Sequence, residues 1–344
     1  MTELVIEKDK SLKDLNTFGL PCVAKAYCRP ENLEQLESAL QYAEQKACDY
    51  LVLGGGSNLL FRQSHFPGLI LHLNIRSKSL IEEDNHFLMR CGASEPWQAF
   101  VDYTLQKGVV GFENLSLIPG TVGACPVQNV GAYGVEVSDF IESVECYDPK
   151  SKKLVVLNNS DCRFGYRDSV FKGAKSHYII LAVNFRVPKG LQFKLSYGDI
   201  EARARAKADT MGQVLNASMI SEVICEVRSE KLPDPEILGN AGSFFKNPIV
   251  SEAQFTDLKK RHPNLIGYPY FDDYKLAAGW LIDSLGLKGV EERGGAAVHD
   301  KQALVLVNKT GSATAESLFN LVEKVQSDVR DVYQVNLEVE PRII

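Results

Sequence analysis

Two glycine-rich segments carry the strongest chemical signal in the sequence. The first reads Gly54-Gly55-Gly56-Ser57-Asn58 and follows a short apolar run, Tyr50 to Leu53, that is typical of a strand. The second extends from Leu117 to Gly134; it is rich in Gly, Pro and Asn and has no helical period. Because glycine lets backbone amides approach a phosphate closely, two such loops predict a ligand held by backbone from two sides, as a dinucleotide such as a flavin requires.

Neither glycine-rich segment matches a common nucleotide-binding motif, so spacing alone leaves their role open. The G-x-G-x-x-G fingerprint is absent, and no Gly-Lys-Ser or Gly-Lys-Thr follows the glycine triplet. The alternative for the triplet is a tight turn between two strands. The presence of the second segment favours the ligand-binding interpretation.

An arginine cluster supplies a second kind of candidate. Arg163 and Arg167 lie on either side of an aromatic residue in the stretch Arg163 to Ser169. An arginine fork can bind a carboxylate or a phosphate through two parallel hydrogen bonds. The alternative is a surface ion pair between Arg167 and Asp168 or a glutamate.

Ser243 and the charged residues near the C-terminus are weaker candidates when taken alone. Ser243 precedes two phenylalanines but lacks the G-x-S-x-G pattern of a hydrolase nucleophile, so a helix cap or a turn hydroxyl is the simpler interpretation. Glu338, Glu340 and Arg342 recur at a period of two, which places them on one face of a strand. The alternative for this face is ordinary exposure to solvent.

Helix and strand patterns alternate around these residues, which predicts a mixed α and β protein with several layers. Apolar residues at helical spacing predict helices over 30–46, 217–229 and 276–286, and the clearest amphipathic pattern runs from Leu318 to Val332. Apolar runs predict strands over 50–53, 69–73, 154–157, 178–187, 193–195, 303–308 and 335–344.

Composition excludes several classes of function. The net charge of −6 argues against a dedicated nucleic-acid binder, and no apolar run reaches the ~18–20 residues that cross a bilayer. The charged segment Met1 to Lys10 has no apolar signal core. None of the eight cysteines forms a C-x-x-C pair and the six histidines have no metal spacing, so we expect reduced cytoplasmic thiols and no metal site.

Seven short motifs follow one another along nearly the whole chain. They are Asn16–Gly19, Leu53–Asn58, Pro119–Gly123, Gln128–Gly134, Tyr166–Ser169, Gly242–Pro248 and Ala277–Ile282. In this order, the motifs give the chain a close resemblance to the UDP-N-acetylenolpyruvoylglucosamine reductase family. The segment Ser196-Tyr197-Gly198-Asp199 is similar to the substrate-covering segment of the longer, type I branch.

The resemblance implies an α+β protein with a vanillyl-alcohol-oxidase-type FAD-binding fold and a third, substrate-binding α+β domain. It places the first FAD-binding subdomain at 1–74 plus 334–344, the second at 75–232 and the substrate-binding domain at 233–333.

The resemblance also implies a reaction in two halves, within peptidoglycan precursor and cell-wall synthesis. NADPH reduces FAD, and the reduced flavin then passes hydride to C3 of UDP-N-acetylglucosamine enolpyruvate. Protonation at C2 completes UDP-N-acetylmuramate. We expect a cytoplasmic monomer that binds neither nucleic acid nor a membrane.

By match to the family motifs, three residues are expected to carry the chemistry. Ser243 corresponds to the proton donor to C2, while Arg167 and Glu340 correspond to the groups at the substrate carboxylate, where charge grows. Glu340 would serve there only if it were protonated or linked through a hydrogen-bonded arginine, so its surroundings are expected to raise its pKa. The expected FAD-binding residues are Gly54, Gly55, Gly56, Ser57, Asn58, Gly123, Ala124, Cys125, Val130 and Arg342. The expected substrate-binding residues are Tyr197, Lys231, Asn247, Tyr133 and Tyr166.

The chain departs from the family pattern at two places. Ala124-Cys125 stands where members often carry two serines, which removes hydroxyl donors beside the cofactor. Pro341 stands where a valine is usual, which removes a backbone donor but keeps the spacing of Glu340 and Arg342.

Two other functions remain open at this point. One is an oxygen-using FAD oxidase of the same fold, which would not need the predicted diphosphate partners Tyr197, Lys231 and Asn247. The other is a non-catalytic flavin-binding or nucleotide-sensing module, which would oxidise no NADPH when substrate is added.

Overall fold

The computed structural model describes residues 4–344, which form two compact units. The first unit comprises the N-terminal residues up to Lys10, Ala24–Gly55 and Pro67–Arg228; the second comprises Ser11–Val23, Gly56–Phe66 and Ser229–Ile344. The first three residues of the charged N-terminal segment lie outside the described residues. The division into three domains stays a prediction.

Seven α-helices and nineteen short strands make up the described part of the chain. The helices are α1 (Leu33–Gln45), α2 (Trp97–Gln106), α3 (Ile200–Met211), α4 (Ala217–Lys231), α5 (Glu252–Arg261), α6 (Ala278–Asp283) and α7 (Ala315–Tyr333). The strands are β1 (Glu7–Ser11), β2 (Val23–Cys28), β3 (Tyr50–Leu53), β4 (Leu59–Leu60), β5 (His65–His72), β6 (Lys78–Glu82), β7 (His86–Gly92), β8 (Gly131–Ala132), β9 (Val135–Glu136), β10 (Ile141–Asp148), β11 (Lys153–Asn158), β12 (Ile179–Pro188), β13 (Asn240–Ser243), β14 (Ile249–Ser251), β15 (Gly267–Tyr270), β16 (Asp273–Leu276), β17 (Ala296–Val298), β18 (Val305–Asn308) and β19 (Arg342–Ile343).

The first unit contains a four-stranded sheet in the order β1-β2-β5-β3. Asn32 caps α1 by accepting the amide of Gln35 at 3.0 Å. Leu36, Ala39 and Ala43 then recur on the buried side of the helix, in one cluster with leucines of β5. This packing fixes β3, and therefore the glycine turn that follows it.

A five-stranded sheet in the order β11-β10-β12-β7-β6 forms the second layer of the first unit. All four of its strand pairs are antiparallel. Its core is aromatic: the rings of Phe100 and Phe185 stack with centroids 4.7 Å apart, and Phe112 meets Phe185 edge-on at 5.4 Å. Aromatic pairs of this geometry bury large areas, so they give a rigid base for the loops beside them.

Helices α3 and α4 pack together in the first unit through small and branched side chains. Ile200 and Ala204 of α3 share a cluster with Ile220, Ile224 and Val227 of α4. Tyr133 is partly buried against this cluster. The helix pair therefore supports a residue of the second glycine-rich segment.

The second unit is built around α7 and the sheet β13-β18-β17. Leu318, Leu321 and Val325 of α7 are fully buried in a cluster that also holds Phe244 and Phe245. Because both phenylalanines have at most 1% of their surface exposed, the chain on either side of them is held in place. A second three-stranded sheet, β14-β16-β15, and the two-stranded sheet β19-β4 also belong to this unit.

The structure confirms most of the predicted elements and corrects three. Residues 193–195 form no strand, because Phe193 and Leu195 pack as single side chains against the α3–α4 cluster. The predicted strand over 335–344 shrinks to β19, since Val335 and Leu337 are buried in the core and Pro341 has no amide hydrogen. Helix α3 was not predicted, because its buried positions Ala204 and Ala208 give little apolar contrast.

Among residues 4–344, no helix combines the length and apolar character needed to span a membrane. The same described range contains no cluster of three or more His, Cys, Asp or Glu side chains suited to a metal ion.

Candidate active site

The two glycine-rich segments meet inside the first unit. β3 ends at Leu53, and the next residues, Gly54 and Gly55, lie against Gly120 and Thr121 of the second segment. A Cβ atom at Gly54 would lie 2.9 Å from Thr121 Oγ1, and one at Gly55 would lie 3.0 Å from the Cα of Gly120. Since a side chain would occupy the space between the two backbones, this close approach depends on glycine.

The turn after β3 presents unused hydrogen-bond donors. The amides of Gly54 and Gly55 have no hydrogen-bond acceptor among the described residues 4–344, and Gly55 is exposed. Consecutive free amides on a glycine turn form a small donor surface that suits phosphate oxygens. The donor set of this turn therefore fits the pyrophosphate of a dinucleotide such as FAD.

The predicted cofactor residues of the second segment differ in exposure. Gly123 is close-packed, because its Cβ would lie 2.6 Å from the Cβ of Ala93. Ala124 is exposed, whereas the side chains of Cys125 and Val130 lie in the core of the first unit. Burial raises the pKa of the Cys125 thiol well above its ordinary value. A ligand on this surface would therefore contact the backbone of Cys125 rather than its sulfur.

Gly56 belongs to the second unit and is the most constrained glycine of the triplet. Its φ is +66°, and a Cβ there would lie 2.0 Å from the carbonyl oxygen of Leu15. The amide of Thr17 donates to the Gly56 carbonyl at 3.1 Å, and the Thr17 hydroxyl donates to the Asn240 carbonyl at 2.7 Å. The Asn16–Gly19 motif thus joins the glycine turn to the first residue of β13.

Arg342 lies beside the end of the same turn in the second unit. β19 pairs in parallel with β4, and the amide of Arg342 donates to the Asn58 carbonyl at 3.0 Å. Ser57 and Asn58 are half-buried, and Arg342 is exposed. The predicted cofactor residues Ser57, Asn58 and Arg342 are therefore neighbours.

Arg167 occupies the tip of a tight turn in the first unit. The amide of Gly165 donates to the Asp168 carbonyl at 3.0 Å, and the Asp168 amide donates back at 3.2 Å. Arg167 has a φ of +53°, and its Nη2 donates to the Gly131 carbonyl at 2.8 Å. The guanidinium carbon lies 5.6 Å from the centre of the Tyr166 ring. The hydrogen bond from Arg167 to Gly131 therefore joins the arginine cluster to the second glycine-rich segment. Arg167 reaches Gly131 from a left-handed backbone conformation, which residues other than glycine rarely adopt.

Tyr133 and Tyr197 form a second tyrosine-rich part of the first unit. Tyr133 and Gly134 join β8 to β9 as a two-residue turn, with φ of +50° and +81°, as a type I′ turn requires. The rings of Tyr133 and Tyr197 meet edge-on with centroids 5.3 Å apart. Asn114 Nδ2 donates to the Tyr133 carbonyl at 2.9 Å. Tyr197 itself is 56% exposed, so its ring is accessible to a ligand.

Arg228 of α4 joins this part of the first unit but was not predicted. Its Nε donates to the Leu117 carbonyl at 3.3 Å, at the start of the second glycine-rich segment. Burial, together with the nearby Arg167, lowers the pKa of Arg228. No local motif marks Arg228. Its helical spacing from the buried Ser221 places the two residues on the same face of α4.

The second unit places Ser243 and Glu340 on neighbouring segments. Ser243 is the exposed last residue of β13. The next residue, Phe244, donates its amide to the Leu304 carbonyl at 2.7 Å and accepts the amide of Glu340 at 2.9 Å. Glu340 is half-buried. A hydroxyl and a carboxyl group are thus held on adjacent stretches of backbone.

Glu338 has a different environment from Glu340. Glu338 Oε1 forms an ion pair with Lys246 Nζ, and 70% of the Glu338 side chain is exposed. The Lys246 amide also donates to the Glu338 carbonyl, at 2.9 Å. This exposed pairing supports the choice of Glu340 over Glu338 as the candidate acid.

The predicted diphosphate partners Lys231 and Asn247 also lie in the second unit. Lys231 is the exposed last residue of α4. Asn247 Oδ1 accepts the amide of Ala278 at 3.0 Å, which places the Asn247 side chain at the start of α6. The Asn247 oxygen therefore helps to fix the start of α6.

Two family models match this chain. One is described as UDP-N-acetylenolpyruvoylglucosamine reductase, C-terminal domain, and matches residues 234–344. The other is described as an FAD binding domain and matches residues 24–156. The second match contains both glycine turns that meet in the first unit.

Curated relatives are similar over nearly the whole chain. UDP-N-acetylenolpyruvoylglucosamine reductase from Shewanella oneidensis is 46% identical and covers 97% of this chain and 96% of its own. The proteins of the same name from Neisseria gonorrhoeae and Pseudomonas putida are 44% and 42% identical; the first match covers 96% of this chain and 95% of its own, and the second covers 98% of both.

Solved structures show the same fold. UDP-N-acetylenolpyruvylglucosamine reductase from Thermus caldophilus aligns with a TM-score of 0.67 at 23% identity, over 99% of this chain and 98% of its own. A solvent-stable cholesterol oxidase aligns with a TM-score of 0.50 at 10% identity, over 98% of this chain and 87% of its own. The predicted α+β class and vanillyl-alcohol-oxidase-type FAD-binding fold are confirmed. With relatives above 40% identity along almost its entire length, the chain belongs to the UDP-N-acetylenolpyruvoylglucosamine reductase family.

Proposed function

We propose that the protein is an FAD-dependent reductase that uses NADPH to convert UDP-N-acetylglucosamine enolpyruvate into UDP-N-acetylmuramate, in peptidoglycan precursor synthesis. The observation that carries the proposal is the hydrogen bond of 2.9 Å from the Glu340 amide to the Phe244 carbonyl, which holds Glu340 next to Ser243. Membership of the family supports the same reaction.

FAD would supply hydride transfer from NADPH to the substrate. FAD would be held by the free amides of Gly54 and Gly55 and by the other predicted cofactor residues. These are Gly56, Ser57, Asn58, Gly123, Ala124, Cys125, Val130 and Arg342. Their backbone donors and close glycine packing suit a phosphate-bearing cofactor.

The remaining chemistry falls to side chains that act on the enolpyruvyl group. When C3 gains hydride, negative charge develops at C2 and spreads onto the carboxylate. Arg167 would stabilise that charge as a fixed cation, and Glu340 would assist at the carboxylate, either as a protonated donor or through a hydrogen-bonded arginine. Ser243 would then give its hydroxyl proton to C2, and solvent would restore that proton.

Substrate recognition would use tyrosine, lysine and asparagine donors. Tyr197 is exposed beside Tyr133, and Tyr166 lies under the Arg167 guanidinium. Lys231 and the Asn247 amide would bind diphosphate oxygens, for which an alcohol oxidase has no use. These partners favour the reductase over an oxygen-using oxidase of the same fold.

We place this reaction in the cytoplasm and expect the protein to act as a monomer, without nucleic acid or a membrane. All eight cysteines are free thiols, as is usual in a reducing compartment.

The test is product analysis by mass spectrometry after incubation with NADPH and UDP-N-acetylglucosamine enolpyruvate. The product should contain two more hydrogen atoms than the substrate, one at C3 and one at C2. In D₂O, the hydrogen at C2 should be deuterium, because it comes from an exchangeable hydroxyl. NADPH consumption without substrate reduction would contradict the proposal.

A further inference from the structure

Asn114 joins two stretches of the first unit that carry predicted substrate-binding tyrosines. Its Nδ2 group donates to the Tyr133 carbonyl at 2.9 Å and to the Lys194 carbonyl at 2.8 Å. The Asn114 Oδ1 atom has no hydrogen-bond partner among residues 4–344, so both contacts depend on the two hydrogens of Nδ2. One amide group therefore links the turn between β8 and β9 to the chain segment that leads to Tyr197.

The Asn114 side chain starts from a rigid base. It lies in a short 3-10 turn, Glu113–Leu115, and only 1% of its surface is exposed. Phe112 before it and Leu115 after it are fully buried, and Trp97 Nε1 donates to the Leu115 carbonyl at 2.8 Å. Because a buried side chain among close-packed neighbours has few other positions to occupy, the Nδ2 group is a fixed point of attachment for the two carbonyls.

The segment that leads to Tyr197 has little other backbone support. Residues 191–196 form no helix or strand, and within residues 4–344 their backbone makes no hydrogen bond except at the Lys194 carbonyl. Phe193 and Leu195 pack against the α3–α4 cluster, but only through their side chains. The hydrogen bond to the Lys194 carbonyl therefore does most to fix the course of the backbone before Tyr197.

The two stretches that Asn114 joins bring their tyrosine rings into contact. The rings of Tyr133 and Tyr197 meet edge-on with centroids 5.3 Å apart. The Tyr133 ring is partly buried against the α3–α4 cluster, whereas 56% of Tyr197 is exposed. Because more than half of Tyr197 is exposed, its ring takes much of its position from the backbone that carries it. The attachment at Lys194 therefore helps to decide where this ring lies.

We propose that Asn114 is a positioning residue that holds Tyr197 beside Tyr133, so that the two rings form one binding surface for the UDP-linked substrate. This inference rests on the proposed function. Asn114 itself would not touch the substrate, since it is buried and its donors bind backbone carbonyls. Its loss should therefore weaken substrate binding through Tyr197 and leave the residues of hydride and proton transfer in place.

The test is a double-mutant cycle on the holoenzyme with Asn114→Leu and Tyr197→Ala. The Kd of UDP-N-acetylglucosamine enolpyruvate is measured by isothermal titration calorimetry in the absence of NADPH. Asn114→Leu keeps the approximate size of the side chain but removes both donors, and it should raise this Kd about 5- to 10-fold, as expected for one or two neutral hydrogen bonds. The same substitution should raise Kd less than about twofold in the Tyr197→Ala background. Its effect on kcat should be smaller than its effect on Kd.

Asn159→Leu is the matched control in the same unit. Asn159 Nδ2 also donates to two backbone carbonyls, those of Ser138 and Ile141, at 2.9 Å and 2.8 Å. Neither Ser138 nor Ile141 adjoins a predicted substrate residue, so Kd should match wild type although a similar pair of hydrogen bonds is lost. If Asn114→Leu does not fold, Asn114→Asp, which replaces the donor group by an oxygen, takes its place in the cycle.

Equal effects of Asn114→Leu on Kd in the two backgrounds, or no effect in either, would overturn the inference. A loss of affinity of the same size in Asn159→Leu would also overturn it. Wild-type protein that binds the substrate but converts none of it would contradict the proposed function, and the Kd values would still decide the role of Asn114. Wild-type protein that does not bind this substrate would contradict both.

Discussion

Gly56→Ala is the substitution whose cost follows most directly from the structure. Gly56 has a φ of +66°, and the new Cβ would lie 2.0 Å from the carbonyl oxygen of Leu15. Left-handed backbone costs a residue with a Cβ about 1–2 kcal/mol, and overpacking adds about 1–3 kcal/mol. Because the neighbour is backbone rather than a flexible side chain, we expect the free energy of unfolding to fall by about 2–5 kcal/mol.

Gly286→Ala is the matched control in the same unit. Its φ is +70°, but no atom lies within 4 Å of the place that a Cβ would take, so only the conformational cost of about 1–2 kcal/mol applies. Urea unfolding followed by circular dichroism should therefore show a larger loss for Gly56→Ala. Flavin absorbance after desalting should also be lower in that variant, since the glycine turn is the proposed pyrophosphate site. Equal stability losses in the two variants would refute the reasoning.

Four other predictions address individual side chains. Ser243→Ala should leave flavin reduction by NADPH intact and slow reoxidation by the enolpyruvyl substrate; stopped-flow absorbance measures both halves, and normal reoxidation would exclude the proton-donor role. Glu340→Gln should lower kcat about 100-fold or more, the usual cost of losing transition-state stabilisation. Glu338→Gln should keep kcat within about twofold of wild type, because its ion pair is exposed. The reverse ranking in steady-state kinetics would show that Glu338 is the acid. Tyr197→Phe should raise the KM for the UDP-linked substrate more than it weakens FAD binding, and an unchanged KM would remove Tyr197 from the site. Burial raises the pKa of Glu113, so the folded chain keeps this proton to higher pH than the unfolded chain. Stability is therefore lost as pH rises from about 4.3, the ordinary glutamate pKa, through the pKa of the folded state. Glu113→Gln should flatten that part of the pH profile of unfolding, and an identical profile would show that Glu113 does not titrate in this way.

The sequence predicted those parts of the fold in which apolar spacing is regular. α1 and α7 carry leucines or valines at helical spacing among polar residues, so their patterns were easy to recognise. Helix α3 escaped notice because alanines fill its buried face, and alanine contrasts weakly with the polar residues around it. The strand predicted over 335–344 failed because its apolar residues pack into the core without a partner strand along most of their length.

The candidate site was predictable where backbone conformation required glycine. The two glycine-rich segments do meet, since no other residue type would allow Gly55 to approach Gly120 so closely. The place of Arg228 could not be predicted, because its hydrogen bond to the Leu117 carbonyl depends on a segment distant in sequence. Spacing within a helix shows which residues share a face but not what that face contacts.

The central claim is that one protein-bound flavin accepts hydride from NADPH and gives it to the enolpyruvyl substrate. The most direct measurement is the visible absorbance of the purified protein under anaerobic conditions, recorded before and after each addition. Flavin bands should bleach when NADPH is added and recover when UDP-N-acetylglucosamine enolpyruvate follows. A protein that shows no flavin bands, or whose bleached flavin recovers only when air is admitted, would contradict the claim.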